Sequence, residues 1–182
     1  MNIQIRPWEL TDAADIVGVI NNKKVLDNLR DGIPFPYTEK DAAEFINSML
    51  NAEKESSYAF AIVVNEKVVG SIGAFRQSNI HNRTAEMGYY VGEEYWGKGV
   101  CTTAIRLICR YVFDNTDIMR IFAEPFSDNI ASCRVLEKAG FQYEGTLRSN
   151  AVKNGQIKDM KMYSMIRNNF NLCCFDERND ES

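Results

Sequence analysis

The segment GEEYWGKGVCT, Gly92 to Thr102, decides the fold of this chain. It follows the mostly apolar run Ala85–Val91, which predicts a buried strand. From the end of this segment onward, apolar residues recur at helical spacing; they are Cys101, Ala104, Ile105, Ile108 and Val112. Free main-chain N–H groups at a helix start, together with the helix dipole, make a site suited to phosphate. Because glycine lets a ligand approach the backbone closely, we expect an anion site at Gly97 and Gly99.

Two familiar phosphate loops match this segment only in part. A nucleotide P-loop requires G-x-x-x-x-G-K-[ST]; Gly92 and Gly97-Lys98 fit, but Gly99 stands where Ser or Thr would hold magnesium. A dinucleotide turn requires G-x-G-x-x-G, and Thr102 replaces its third glycine. A plain strand-to-helix turn explains the segment equally well. A nucleotide kinase or phosphatase also stays open, and it predicts magnesium-dependent binding of ATP.

The flanking sequence predicts a mixed α/β fold with one central, partly antiparallel sheet. Further strands are expected at 3–7, 58–64, 68–75, 119–124, 141–148 and 156–166, and further helices after Thr11-Asp12, after Thr38 and after Ser127 or Asp128. In the last helix, four residues are expected to face inward, namely Ile130, Cys133, Leu136 and Ala139, and Gly140 is expected to end it. The order strand, helix, strand across residues 85–124 implies a right-handed parallel crossover.

Composition narrows the class of protein. The 182 residues suit one domain, which we place at 1–170, followed by a polar tail at 171–182. The net charge of −4 argues against a nucleic-acid partner. We expect no membrane partner, because there is no secretory leader and no apolar run of about 20 residues. The five cysteines have no metal-ligand spacing, so we expect reduced thiols, no metal and a cytoplasmic location.

Several segments in the right order resemble the GNAT acyltransferase superfamily. Its coenzyme A pyrophosphate loop reads [QR]-x-x-G-x-[GA]; Gly99 matches the first glycine, whereas Trp96 and Cys101 depart from the pattern. The runs AEMGYYV (85–91), NIAS (129–132) and VLEKAGF (135–141) resemble the central strand and the second cofactor helix. The run IPFPYTEKDA (33–42) resembles the branch that contains the ribosomal-protein N-terminal acetyltransferases. The resemblance covers roughly Ile3 to Ile166.

This resemblance implies the GNAT fold, with helices flanking a mostly antiparallel sheet whose one parallel strand pair splays apart. Acetyl-coenzyme A would enter between the splayed strands and pair with backbone as an added strand would. A main-chain N–H near Tyr90 or Val91 would polarise the thioester carbonyl. The pyrophosphate would bind the backbone of Trp96, Gly97, Lys98, Gly99, Val100, Cys101, Thr102 and Thr103. Further along, the co-substrate would be lined by Asn129, Ser132 and Lys138.

The same resemblance suggests the residues that move protons. Glu86, on the central strand beside the expected thioester, is the candidate general base; a structural hydrogen-bond role is the alternative. Leu136 occupies the position where many members carry the tyrosine that protonates the leaving thiolate. Ser132, or a water held by Asn129, is the expected substitute, although helix capping or packing would also explain either residue.

The acceptor is the least recognisable part of the sequence. The branch resemblance and Leu136 favour a protein N-terminal α-amine, with a polyamine or an aminoglycoside as the alternative. A module that binds acyl-coenzyme A without catalysis also stays open. A homodimer is expected from the family.

Overall fold

The computed structural model describes residues 1–53 and 55–170, so the predicted tail at 171–182 lies outside the described residues. Within them the strands are β1 Ile3–Arg6, β2 Ser57–Val64, β3 Lys67–Arg76, β4 Thr84–Val91, β5 Arg120–Ala123, β6 Gln142–Lys153 and β7 Gln156–Ile166. The helices are α1 Ala13–Ile20, α2 Lys23–Leu26, α3 Glu39–Leu50, α4 Val100–Asn115 and α5 Ile130–Ala139. Short 3₁₀ turns lie at Leu10–Asp12, Asn79–His81 and Glu93–Tyr95.

All of these strands form one sheet in the order β1-β2-β3-β4-β5-β7-β6. Neighbouring strands are antiparallel except β4 and β5, which are parallel and joined by the crossover helix α4. This arrangement confirms the predicted fold class.

Two hydrophobic cores cover the two faces of the sheet. Successive residues of β2 show this division, because side chains alternate between faces along a strand. Ile62 belongs to the core formed with α4 and α5, whereas Val63 belongs to the core formed with α1 and α3. The first core includes Ile105, Ile108, Val112 and Leu136, and the second includes Trp8, Ile16, Ala42 and Ile46. The sheet therefore separates the α4–α5 side from the α1–α3 side.

The start of α5 differs from the prediction in two ways. Asn129 caps the helix, because its Oδ1 accepts a hydrogen bond from the Ser132 amide at 3.1 Å; Asp128 instead binds Lys158 Nζ at 2.5 Å. Ile130 was expected to face inward and is 48% exposed. Side chains in a helix lean toward its N-terminus, so the first residue of α5 points past the helix start.

Some element ends also differ from the prediction. β1 stops at Arg6, before the proline that lacks an N–H donor. β6 extends beyond Arg148 to Lys153, across register shifts, and joins β7 at the expected Asn154-Gly155 turn. The helix α2 was not predicted, since four residues carry too little periodicity to be recognised.

Candidate active site

β4 and β5 separate after a short stretch of parallel pairing. The pairing joins Thr84–Glu86 of β4 to Arg120–Phe122 of β5. β5 ends at Ala123, whereas β4 continues to Val91. A V-shaped opening therefore begins beyond Glu86, and one edge of β4 lines it.

The hydrogen-bond register of β4 decides which main-chain groups face this opening. The Gly92 amide, at the end of the strand, donates to the Val69 carbonyl on β3 at 2.8 Å. Polar groups of successive residues in an antiparallel strand point to alternate edges. Those of Tyr89 and Val91 therefore face the opening, and those of Tyr90 face β3. Of the two amides considered from the sequence, the register favours Val91 for the thioester carbonyl and excludes Tyr90.

The N-terminus of α4 lies at the end of β4 and presents a glycine-rich turn. Gly97 and Gly99 adopt left-handed backbone conformations, with φ of 71° and 79°. Gly99 is the N-cap, and no described side chain accepts a hydrogen bond from the first turn. No acidic residue occupies that turn either. Its main-chain amides are thus available to an anionic ligand.

Trp96 connects this turn to the opening between the strands. Its indole Nε1 donates to the Val91 carbonyl at 3.0 Å. Lys98 follows it, with its Nζ 5.9 Å from the centroid of the Tyr95 ring. The turn is therefore fixed beside the far end of β4, as one extended ligand contacting both features would require.

Glu86 lies on the α1–α3 side of the sheet, at the start of the opening. Its carboxylate forms an ion pair with Arg30, which follows α2. Glu124 lies on the same face, because Phe122 pairs with Glu86 and residues two apart on a strand share a face. Burial and the charge of Glu86 raise the pKa of Glu124. Two carboxylates and one guanidinium thus stand at this mouth of the opening.

A cavity next to this cluster is closed by the β6–β7 hairpin. Its lining includes Arg30, Asp31, Glu124, Phe126, Lys153 and Met160. Lys153, near the tip of the hairpin, is only 11% exposed at its side chain and binds Asp31 at 2.7 Å. Asn154 donates to Asp27 Oδ1 at 3.0 Å. The segment that follows α2 and the hairpin tip therefore form two walls of a pocket, and its lining residue Arg30 is the ion-pair partner of Glu86.

Ser132 lies on the opposite side of the sheet, in the first turn of α5. The hydroxyl of Tyr89 lies 2.7 Å from Ser132 Oγ and 3.3 Å from the Ser132 carbonyl oxygen. Burial raises the pKa of Tyr89, so this phenol stays protonated at neutral pH. The Asn129 cap holds the Ser132 amide. A polar group from α5 thus meets β4 where the strand has lost its parallel partner.

Comparison with known proteins gives the family. The model of the acetyltransferase (GNAT) domain matches residues 2–142. The chain belongs to the GNAT acetyltransferase family. It is 30% identical to the probable N-acetyltransferase YjcK of Bacillus subtilis over 169 residues, which is 90% of this chain and 93% of that protein. It is 25% identical to the ribosomal-protein-serine acetyltransferase of Escherichia coli over 150 residues, with 81% and 83% covered.

A solved structure supports the same assignment. The microcin C7 self-immunity acetyltransferase MccE, in complex with acetyl-CoA and AMP, superposes with a TM-score of 0.78 and 27% identity. The match covers 90% of this chain and 92% of that one. This GNAT protein is thus an acetyl-CoA-dependent N-acetyltransferase.

The GNAT fold brings most of the predicted site residues to one cleft. Glu86, Ser132 and Asn129 flank the opening from its two sides, and Gly97 to Thr103 surround the start of α4. The Val100 side chain is buried, so its predicted contact with a ligand is restricted to its backbone. Burial raises the pKa of Cys101 to about 12, so this thiol stays protonated at neutral pH. Lys138 lies in the last turn of α5, roughly 9 Å of helix rise beyond Ser132, and its contact with a phosphate stays a prediction.

Four residues of this candidate site were not predicted from the sequence, namely Arg30, Tyr89, Glu124 and Lys153. Arg30 and Glu86 are 56 positions apart, and Tyr89 and Ser132 are 43 apart. Glu124 and Lys153 enter the site through the ends of β5 and β6. Only the tertiary packing of elements distant in the chain, which local patterns do not give, would have signalled these contacts.

Two kinds of feature are absent from the described part of the chain. No group of three or more His, Cys, Asp or Glu side chains is arranged to hold a metal ion. No helix among those residues is both long and apolar enough to cross a membrane.

Proposed function

We propose that this enzyme transfers the acetyl group of acetyl-CoA to a protein N-terminal α-amine, by direct attack in a ternary complex. The observation that carries the proposal is the opening between β4 and β5. At its far end lies the start of α4, which has no side-chain cap. The opening suits a pantetheine arm, and the helix start suits a pyrophosphate. Similarity to a ribosomal-protein-serine acetyltransferase supports the choice of acceptor.

The two ends of the site divide the binding of acetyl-CoA between them. The first-turn amides of α4, with Trp96, Lys98, Cys101 and Thr102–Thr103 around them, would bind the diphosphate. The Val91 amide faces the opening and would donate to the thioester carbonyl. That donor stabilises the negative charge that develops on the carbonyl oxygen as the amine attacks.

The amine approaches from the side of Glu86. An α-amine, with a pKa of about 7.7–8.0, is partly neutral at pH 7, whereas a lysine side chain at about 10.4 is almost wholly protonated. Glu86 would take the proton that the nitrogen loses, directly or through one water. The ion pair of Glu86 with Arg30 must open or be shared when the acceptor binds.

The thiolate leaves on the side of Ser132. The C–N bond forms, the C–S bond breaks, and the electron pair of that bond stays on sulfur. The Ser132 hydroxyl, in the turn that Asn129 caps, would donate a hydrogen bond to the thiolate. A thiolate is a good leaving group, so hydrogen bonding can replace a dedicated acid.

A small cationic amine, such as a polyamine or an aminoglycoside, is the second candidate acceptor. The acceptor side carries Glu86, Glu124 and Asp31 against Arg30 and Lys153. No described side chain forms an ion pair with Glu124. This excess negative charge favours a cation. Cytoplasmic location and a homodimer belong to the same proposal. None of Cys101, Cys109 and Cys133 forms a disulfide bond.

Thiol release from acetyl-CoA tests the proposal when acceptors are compared side by side. We expect turnover with peptides that have a free N-terminal Ser or Ala, and none with the same peptides blocked at the N-terminus. Spermidine and an aminoglycoside serve as the small-molecule arm. Equal turnover of free and blocked peptides, or turnover of spermidine alone, would contradict the N-terminal acceptor. Light scattering measures the oligomeric state.

A further inference from the structure

Tyr89 and Ser132 form a polar contact across the opening. Tyr89 projects from β4 toward α5, and its hydroxyl meets the side chain and the carbonyl of Ser132 at 2.7 and 3.3 Å. The Ser132 amide is fixed by Asn129. Both the position and the hydrogen-bond direction of the Ser132 hydroxyl therefore depend on a residue outside α5.

The two hydroxyl groups share two hydrogen atoms, and this allows two arrangements. If Tyr89 donates to the Ser132 carbonyl, the serine hydrogen points at the phenol and is unavailable to a ligand. If Tyr89 donates to Ser132 Oγ, the serine hydrogen is free to point into the opening. The 2.7 Å contact has the distance of a strong O–H···O bond, and 3.3 Å lies beyond that range, so the second arrangement is favoured.

We propose that Tyr89 is a positioning residue that directs the Ser132 hydroxyl hydrogen at the leaving sulfur. This inference rests on the proposed acetyl transfer. Leu136, which replaces the tyrosine expected on α5, is fully buried in the core. The phenol of this site is instead supplied from β4, and it acts through serine.

In this arrangement the proton that the amine loses does not pass through Tyr89 or Ser132. Tyr89 and Ser132 keep their hydrogens throughout, because they donate hydrogen bonds and transfer no proton. Burial favours the neutral phenol and so maintains it as a donor. The proton of the amine goes to Glu86, and the released thiolate takes its proton from solvent.

A double-mutant cycle on the intact enzyme tests the inference. Tyr89→Phe removes the hydroxyl and keeps the ring, and we expect kcat to fall about tenfold, the effect of losing one well-placed hydrogen bond. The KM of the acceptor and the affinity for acetyl-CoA should stay within about twofold. In a Ser132→Ala background the same change should alter kcat less than about twofold, because the residue it directs is absent.

Tyr58→Phe is the matched control. It removes a buried hydroxyl of the same core, bonded to the Glu55 carbonyl at 2.7 Å and remote from Ser132. This variant should keep its kcat, and thermal unfolding should show whether the two Phe variants lose similar stability. An unchanged kcat in Tyr89→Phe, or full tenfold losses in both backgrounds, would overturn the inference while leaving acetyl transfer intact. Absence of thiol release by the wild-type enzyme with every acceptor would overturn the proposed function and this inference with it.

Discussion

Glu86 combines the position proposed for the general base with an ion pair. The carboxylate stands where β4 and β5 separate, and Arg30 neutralises it before any acceptor arrives. The acceptor has to compete with the Arg30 guanidinium, which belongs to a side chain that is 66% exposed.

Replacing Glu86 by Gln tests its role as the base. We expect kcat to fall by roughly 10²- to 10⁴-fold, the usual contribution of general base catalysis. Binding of acetyl-CoA should be unchanged, because the first turn of α4 lies at the other end of the site. Steady-state kinetics and calorimetry measure the two quantities. If kcat survives the change, Glu86 has only a structural role.

Arg30→Met is the companion variant and keeps the length of the side chain. Arg30 forms an ion pair with the Glu86 carboxylate, which is the proposed partner of the acceptor amine. We therefore expect the variant to bind a cationic acceptor more tightly, with a KM lowered a few-fold. An acceptor that carries its own carboxylate would instead lose an ion pair and show a raised KM. A KM that does not change for either kind of acceptor would place Arg30 outside the acceptor site.

At the scale of elements, the candidate site depends on the N-terminus of α4 and on the early end of β5. Gly99 has to be left-handed to begin α4 beside the ligand, and a Cβ there would meet nothing within 4 Å. The obstacle to a side chain at this position is thus backbone strain, with open space around it.

Gly99→Ala should weaken acetyl-CoA binding and reduce stability. A left-handed alanine costs about 1–2 kcal/mol, and relaxation of that strain would move the first-turn amides. Gly155→Ala is matched in strain, with φ of 74° at the β6–β7 turn and no atom within 4 Å of its Cβ position. We expect both variants to lose similar free energy of unfolding and only Gly99→Ala to raise the Kd. Equal Kd values would place the diphosphate elsewhere.

A clamp across β5, β6 and β7 supports the short strand that borders the opening. Both oxygens of Glu144 accept from Arg120, at 2.6 and 2.5 Å, and Ser164 donates to Glu144 Oε1 at 2.6 Å. The Arg120 hydrogen bonds, followed by that of Ser164, lower the pKa of Glu144 to about 2. The clamp thus holds β5 from the side that β4 leaves free.

The lowered pKa of Glu144 predicts how stability depends on pH. A carboxylate with a depressed folded-state pKa stabilises the protein above its unfolded value of about 4.3, and this contribution is lost as pH falls toward about 2. The carboxylate is 38% exposed, so solvent screening limits the contribution to about 1 kcal/mol. Glu144→Gln should therefore lose about 1 kcal/mol at pH 7 in urea unfolding, and less at pH 3. A gap that widens with acid would contradict this reading.

At the scale of the whole molecule, the sequence predicted the fold and the part of the candidate site that β4 and α4 form. β4, α4 and the turn between them could be read locally, since strand and helix periods and two glycines mark them. The Arg30–Glu86 and Tyr89–Ser132 contacts could not, because each joins elements distant in the chain. The cap of α5 was misplaced for another reason: Ser127, Asp128 and Asn129 are all good caps. The sequence does not show that Asn129 is the one whose side chain accepts from the helix, while Asp128 pairs with Lys158.

Binding of acetyl-CoA should stabilise the whole molecule, because its two contact points lie on β4 and α4. At about 100 times its Kd a ligand adds about 2.7 kcal/mol to the free energy of unfolding. For a domain of this size that corresponds to a rise in Tm of roughly 5–11 °C. Thermal unfolding with and without acetyl-CoA measures it, and ATP with magnesium serves as the control ligand.

Calorimetric titration of the full chain with acetyl-CoA, beside pantetheine and adenosine 3′,5′-bisphosphate, is the most direct test. It asks whether one ligand contacts both the first turn of α4 and the gap between β4 and β5. We expect acetyl-CoA to bind one site per chain, each fragment to bind far more weakly, and Gly99→Ala to weaken acetyl-CoA binding. No heat with saturating acetyl-CoA, or a fragment that binds as tightly as the whole molecule, would contradict the account.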